Sequence, residues 1–597
     1  MGLYNELPSS IESVDVIVAG GGTAGCIVAS RLAEADPNLS ILVVESGIDG
    51  AGLPIVDYPA LLLGNLAPGS PTMTFYEGKE SGNRKRPIVI PAANVLGGGS
   101  AVNMMMYSRA QRSDWDSWKT PGWSADELLP LIKKLETYHG PGSMDVHGSS
   151  GPIHVSTGTY CGTRSQNDFI SAMNKVGWPE IEDLGSLDAC NGVQRAVRFM
   201  SPDGKRQDTA SRYLRPLLQD GHHPNLYVVV KSRVVRVLFE GEKASGVVYR
   251  SEGGTDRTIK ATKTVVISCG AFGTPAILER SGVGDPEVLG RAGVSVIANV
   301  PGVGRGYEDH QLMMYAYKSS LTPEDTIDGV LFGRMGVAEL IKTNHKMLGW
   351  NAQDVTCKIR PTAKDIAVLS PEFQEVWNEE FRDNPNKPLM MMSLVNGYPG
   401  DPIGIPPGQY YGISTFTVYP HARGHVHITG PDLNDPIDFE AGFFSDEKGI
   451  DLKMHRWVYK KQREAARRMN VFRGELPGHH PPFSAESKAA LIDSEMDGPL
   501  TDEKDIEYSA EDDAIIDEWA RDKVGTCWHS LGTCKMAPID QYGVVDQNLN
   551  VHGFRNLKVA DLSIVPKNVA ANTNHTALVI GEKAADIIIE ELGLYNK

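Results

Sequence analysis

The stretch that most narrows the possible folds is VDVIVAGGGTAGCIVASRLAEADPNLSILVVES, residues 14–46. Val14 to Ala19 reads as a buried strand, and Gly20, Gly22 and Gly25 follow in G-x-G-x-x-G spacing. The pattern next predicts a helix over about 24–35 with Ile27, Val28, Leu32 and Ala33 inward, then a second strand from Ile41 to Val44. Glu45 ends that strand, 20 residues beyond Gly25. Gly20 permits the tight turn, Gly22 lets backbone N–H groups approach a pyrophosphate, and Gly25 lets helix and strand pack closely. The helix N-terminus offers partial positive charge to the phosphates, and an acid at the end of the second strand accepts ribose hydroxyls. Strand, glycines, helix and acid together read as a dinucleotide site of the FAD or NAD kind, because a carboxylate repels a 2′-phosphate.

At 597 residues the chain exceeds what one hydrophobic core supports, so two or more lobes are expected. A formal charge of −17 disfavours nucleic acid or an anionic membrane as partner. Seven scattered cysteines form no disulfide framework. No stretch of 18 apolar residues occurs, the first residues lack a signal-peptide pattern, and Glu6 spoils a myristoylation reading of Gly2. With a GLYNK terminus rather than an S-K-L address, the expectation is an intracellular protein, cytoplasmic or peroxisomal.

Several further segments carry chemistry. NVLGGGSAVNMMMYSR (94–109) is a poor regular element, and suits backbone lying against a flat ring or phosphates; an internal turn beside a methionine-rich strand is the other reading. VVISCGAFGTPAILERSGVGD (265–285) reads as strand, glycine turn and short helix. GVVDQNLNVHGFRNLKVADLSIVP (543–566) ends a strand at Ala560-Asp561, and 568–593 gives a loop and a long helix with Ala577, Ile580, Ala584 and Ile588 inward. The basic stretch 452–469 is expected as a solvated or subunit-facing surface helix, and SAEDDAIIDEWARD as an amphipathic helix. In CWHSLGTCKM (527–536), His529 stands between Cys527 and Cys534, in none of the usual zinc spacings and with no visible constellation for a cysteine nucleophile. No metal is expected.

In this order the glycine run with Glu45, LGGGSAVN, GAFGTPAILERSGVG, WHSLGTCKM and VADLSIVP…NTNHTALVIGEKAAD resemble the glucose–methanol–choline (GMC) oxidoreductase family over essentially the whole chain. ANVLGGGSAVNMMMYSR, IRPTAKD, ARRMNVFRGELPGHHPPF and NLNVHGFRNLKVADLS narrow the resemblance to the fungal and yeast alcohol oxidase branch. The resemblance implies an α/β fold: a discontinuous Rossmann-like FAD-binding domain (1–160, 205–318, 522–597) and an inserted α+β substrate domain with a large antiparallel sheet (161–204, 319–521). It implies that Gly20, Gly22, Thr23, Ala24 and Glu45 hold the ADP half of FAD, with Val234 offering backbone to the adenine. Gly99, Asn103, Met104 and Met106 lie along the isoalloxazine and ribityl chain, and Asp561 and Asn574 close the pocket. Val102 stands where some relatives tether the flavin through histidine, so FAD is expected to be noncovalent.

Beside a flavin, alcohol oxidation needs one proton acceptor within reach of the hydroxyl, and the resemblance places that role on His529. Asn572, nine residues before Gly581, falls on the family's partner position, where it orients the alcohol oxygen. Trp528 and Met104 border the substrate; an aromatic is common at the Met104 position, so the implied pocket is roomier than one for methanol. His575 is expected as a helix-start residue, His552 as a turn residue, His479 and His480 as a loop marker, and His310 as a structural anchor. The implied activity is oxidation of a small primary alcohol with O2 reduced to peroxide. The alternatives are a dehydrogenase using another acceptor, a lyase or biosynthetic flavoprotein, and a non-enzymatic nucleotide sensor. Homo-oligomerisation is compatible with the family.

Overall fold

The protein is described from a computed structural model covering residues 2–79, 86–494, 496–500 and 504–594. The opening segment folds as its pattern demands. Ser13–Ala19 and Ile41–Val44 lie side by side in parallel, joined by helix Thr23–Ala35. Val16, Ile17, Val18, Ile41, Leu42 and Val43 have no exposed surface, as strands covered on both faces require. Outward from these, Leu226–Val229 and then Gly2–Tyr4 extend the sheet in parallel on one side. On the other side come Asp256–Ile267, Lys243–Ser251 and Ser232–Glu240, with Leu557–Val559 paired in parallel to Asp256–Ile267. Helix Asn574–Glu591 returns from the chain's end and packs along Thr23–Ala35. Gly581 permits that approach, since a Cβ there would stand 3.1 Å from the Ala24 Cα and 3.0 Å from the Ile27 Cβ.

A second, wholly antiparallel sheet runs Phe472–Glu475, Gln311–Ser319, Tyr410–Thr417, Met390–Val395, Gln353–Ile359 and Gly192–Arg195. Gly525–Thr526 adds to Gln311–Ser319, so the chain passes along this sheet immediately before His529. A separate hydrophobic core, including Phe169, Tyr315, Ile359, Trp457 and Phe472, lies against it.

Two sequence expectations need correction. The basic stretch is helix Ile450–Arg467, but it is no solvated surface helix: Leu452, Met454, Trp457, Val458, Ala465 and Ala466 are buried in that second core. Two of its cations meet the acidic helix Ala510–Lys523, Arg456 on Asp517 at 2.7 Å and Lys460 on Asp513 at 2.5 Å, while Lys453 and Lys461 pair with Glu372 and Asp365 at 3.2 and 2.6 Å. Arg463 turns inward to Glu475 at 2.8 Å. The charge run therefore binds one helix to another rather than to water. The segment read as lacking regular structure contains a helical turn, Gly99–Val102, entered through Gly98 at φ +53°.

Candidate active site

Between the two sheets lies a cavity of about 530 Å³. The residues that the resemblance assigns to FAD and substrate line it: Gly20, Gly22, Thr23, Ala24, Glu45 and Val234 with the parallel sheet; Gly99, Asn103, Met104 and Met106 from the second glycine segment; and Trp528, His529, Asp561, Asn572 and Asn574 from the C-terminal part. More than 500 residues of sequence thus converge on one volume.

At the parallel-sheet end the backbone is bared by glycine. Gly20 has φ +101°, and a Cβ there would lie 2.3 Å from the Ser268 carbonyl oxygen. A Cβ on Gly25 would lie 2.1 Å from the Gly20 carbonyl oxygen, and one on Gly98 2.7 Å from the Gly22 Cα. Helices Thr23–Ala35, Gly270–Arg280 and Asn574–Glu591 all begin at the cavity; none is capped by the side chain of its N-cap residue, although the first N–H of the second is taken by Asp561. Such ends attract anions. Glu45 accepts from the Gly21 N–H at 2.8 Å and the Gly47 N–H at 2.7 Å, while burial raises its pKa. Asp561 is fixed likewise by the N–H groups of Ser563 and Gly270 and the Thr274 hydroxyl, at 2.7, 2.9 and 2.6 Å. Asn574 Nδ2 is buried with no partner among the described residues. A phosphate cradle, a ribose acceptor and an orphaned amide donor fit a dinucleotide. The sequence reading missed Arg233 and Arg280, which line the same end; burial and their mutual repulsion lower the Arg280 pKa to about 10. No motif spacing marks them.

At the other end His529 sits in a fixed shell. Trp528 before it adopts φ +60°, a conformation costly for a bulky side chain, and is held there by its N–H on the Thr526 hydroxyl at 2.7 Å. Asp309 locks the loop, accepting from the His529 N–H at 3.0 Å and the Thr526 hydroxyl at 2.5 Å; burial raises its pKa to about 7. Asn572 donates its N–H to Ser108 Oγ at 2.7 Å and accepts the Ser108 hydroxyl on Oδ1 at 3.0 Å. That pairing leaves the Asn572 amide N–H facing His529 Nε2 at 3.4 Å.

The contact fixes a tautomer. With Nε2 facing a donor, neutral His529 carries its proton on Nδ1, which lies 2.8 Å from Nδ1 of His310. In that arrangement His310 accepts on Nδ1 and holds its own proton on Nε2, which is buried with no hydrogen-bond partner among the described residues. Burial lowers the pKa of both rings, that of His310 to about 4. The resting pair is neutral, with a lone pair at His529 Nε2 on the cavity side. His310, read from the sequence as an anchor, is thus in direct contact with His529. Ser108, Asp309 and Phe416, whose ring lies 5.8 Å from that of His529, were also not legible there.

The other histidines lie apart. His575 is a fully buried second residue of its helix, His552 bonds the Ala537 carbonyl at 2.8 Å, and His479 and His480 meet the Tyr398 hydroxyl and the Ala316 carbonyl at 2.8 and 3.0 Å. Cys527 and Cys534 are buried free thiols whose pKa values burial raises well above the ordinary range, which suits inert packing.

A glycine-lined dinucleotide cradle opening onto a buried neutral histidine under an antiparallel roof defines a nucleotide-dependent oxidoreductase. The chain belongs to the GMC oxidoreductase family, whose models match residues 14–312 and 420–581. It is 37% identical to an alcohol oxidase of Candida boidinii, over 98% of this chain and 96% of that one. The alcohol oxidase of Pichia angusta is also 37% identical over the same shares. Among solved structures, a formate oxidase superposes with a TM-score of 0.83 at 23% identity, covering 98% of this chain and all of that one. No helix among the described residues is long and apolar enough to cross a membrane.

Proposed function

We infer that this protein is an FAD-dependent oxidase of primary alcohols. The observation that carries the reading is the His529 Nε2 lone pair, faced by the Asn572 amide at 3.4 Å, in the same cavity as the dinucleotide cradle. The two alcohol oxidase relatives support it at full length.

FAD would be held by Gly20, Gly22, Thr23 and Ala24 at its phosphates, Glu45 at its ribose, the Val234 backbone at its adenine, and Gly99, Asn103, Met104, Met106, Asp561 and Asn574 along its ring and ribityl half. Val102 in the second glycine segment offers no histidine for a covalent tether. Bound FAD supplies the acceptor for the carbinol hydride and the route of both electrons to O2, which leaves as hydrogen peroxide. The chain's own residues do the rest. The alcohol oxygen lies between the Asn572 amide, which donates to it, and His529 Nε2, which removes its proton as the C–H bond breaks. The charge that forms on His529 is shared through Nδ1–H with His310. Trp528 and Met104 border the carbon chain.

The division at 160, 204, 318 and 521 into FAD and substrate domains, a cytoplasmic or peroxisomal site of action and a homo-oligomeric state belong to the same reading. The test is to mix purified protein with primary alcohols without oxygen, record the flavin spectrum, and then admit air. Bleaching followed by return of colour with peroxide is the expected result. Bleaching without return would make the protein a dehydrogenase, and no bleaching by any alcohol would overturn the reading.

A further inference from the structure

The antiparallel roof presents two chemically different rows to the cavity. Nearest His529, Leu312, Phe416 and Met391 stand opposite one another on adjacent strands and form an apolar band. One residue pair further along, Ser414, Ser393 and Thr356 stand opposite one another and form a row of hydroxyls. All three are buried, at 7%, 6% and 5% exposure. Ser393 spends its proton on the Val355 carbonyl at 2.9 Å, but the hydroxyls of Ser414 and Thr356 make no hydrogen bond among the described residues. Gln353, which borders the row, points its amide nitrogen only at the Met104 thioether, 3.2 Å away and a weak acceptor. Ser414 and Thr356 both line the cavity, so their hydroxyls are available to a molecule bound in it.

We propose that this row binds a second hydroxyl of the substrate, so that the preferred substrate is a primary alcohol with a methylene spacer of several carbons and a distal hydroxyl, an α,ω-diol. This rests on the alcohol oxidase reading above. The strand sets a lower bound on the spacer: the hydroxyl row lies two residues, roughly 6–7 Å, beyond the apolar band beside His529. An extended chain advances roughly 3.5 Å per three bonds, so a spacer of about five carbons is the shortest that suits. The apolar band covers the spacer, and Ser414 and Thr356 gain the partner they lack. Without such a row a diol would be the worse substrate, because its distal hydroxyl would lose water and gain nothing.

The experiment compares 1-pentanol with 1,5-pentanediol as reductants of the flavin under anaerobic conditions, reading the second-order rate constant of flavin reduction for each. A diol-to-alcohol ratio of at least ~10 is expected in the wild type, since a site built around a hydroxyl discriminates against its absence. In Ser414→Ala with Thr356→Val the ratio should fall to one or below. If pentanol reduces the flavin as well as the diol does, or if the ratio survives the double substitution, the inference is overturned while the alcohol oxidase reading stands. A flavin spectrum that shifts in the double variant with the ratio unchanged would assign the row to the cofactor and also overturn it. If neither alcohol bleaches the flavin, the alcohol reading itself fails and this inference with it. The wild-type ratio is decisive even should the double variant not fold.

Discussion

Replacing His310 by phenylalanine removes one hydrogen bond from the base without touching the cavity side of its ring. In the wild type, His529 Nδ1 lies 2.8 Å from His310 Nδ1, and His310 is neutral because burial lowers its pKa to about 4. Two influences of His310 on His529 oppose each other. A charged His310 would repel an imidazolium, but a neutral one carries no charge to repel it, so its accepted hydrogen bond decides. That bond strengthens when His529 takes the alcohol proton and becomes a charged donor. A hydrogen bond to a charged group contributes ~1.5–3 kcal/mol, which corresponds to roughly 10–150-fold in the step that protonates His529. Anaerobic stopped-flow reduction of the flavin by a saturating alcohol should therefore slow by about that factor in His310→Phe. His310→Gln, which restores an acceptor oxygen, should recover much of the loss. The wild-type rate should also hold as pH falls below 6.5 and decline only further down, because burial keeps His529 unprotonated there. A His310→Phe enzyme within twofold of wild type, or a wild-type acid limb at or above pH 6.5, would refute the tautomer argument.

His529→Ala should reduce its flavin at least ~100-fold more slowly while remaining yellow; near-normal reduction would remove the base assignment. Gly25→Ala sets a Cβ 2.1 Å from the Gly20 carbonyl oxygen, so the expected product is protein without flavin absorbance, checked against its thermal transition to separate lost binding from lost fold. Arg463→Ala leaves Glu475 buried without its cation and strips the Ala489 and Ala490 carbonyls of donors; a loss of ~3–5 kcal/mol is expected in urea denaturation. Cys527→Ala with Cys534→Ala should stay yellow and reducible by alcohol, and loss of activity together with a stoichiometric metal would contradict the packing role.

The sequence by itself determined the nucleotide half. A strand, a helix start and an acid within 32 residues act through local geometry, so Gly20, Gly22, Gly25 and Glu45 carry their meaning wherever the rest of the chain goes. The resemblance added His529 and Asn572 and the convergence of distant motifs on one cavity. What only the tertiary structure decided depends on contacts across long separations. The stretch 452–469 looked solvated because its cations are visible in sequence, whereas carboxylates that pair with them, Asp513, Asp517, Glu372 and Asp365 among them, lie in distant segments. His310 passed for an anchor because its neighbour in space, His529, is 219 residues away. The hydroxyl row needs the register of three strands before Thr356, Ser393 and Ser414 become neighbours. Alternation along one strand tells which side chains share a face, but pairing between strands decides which of them meet.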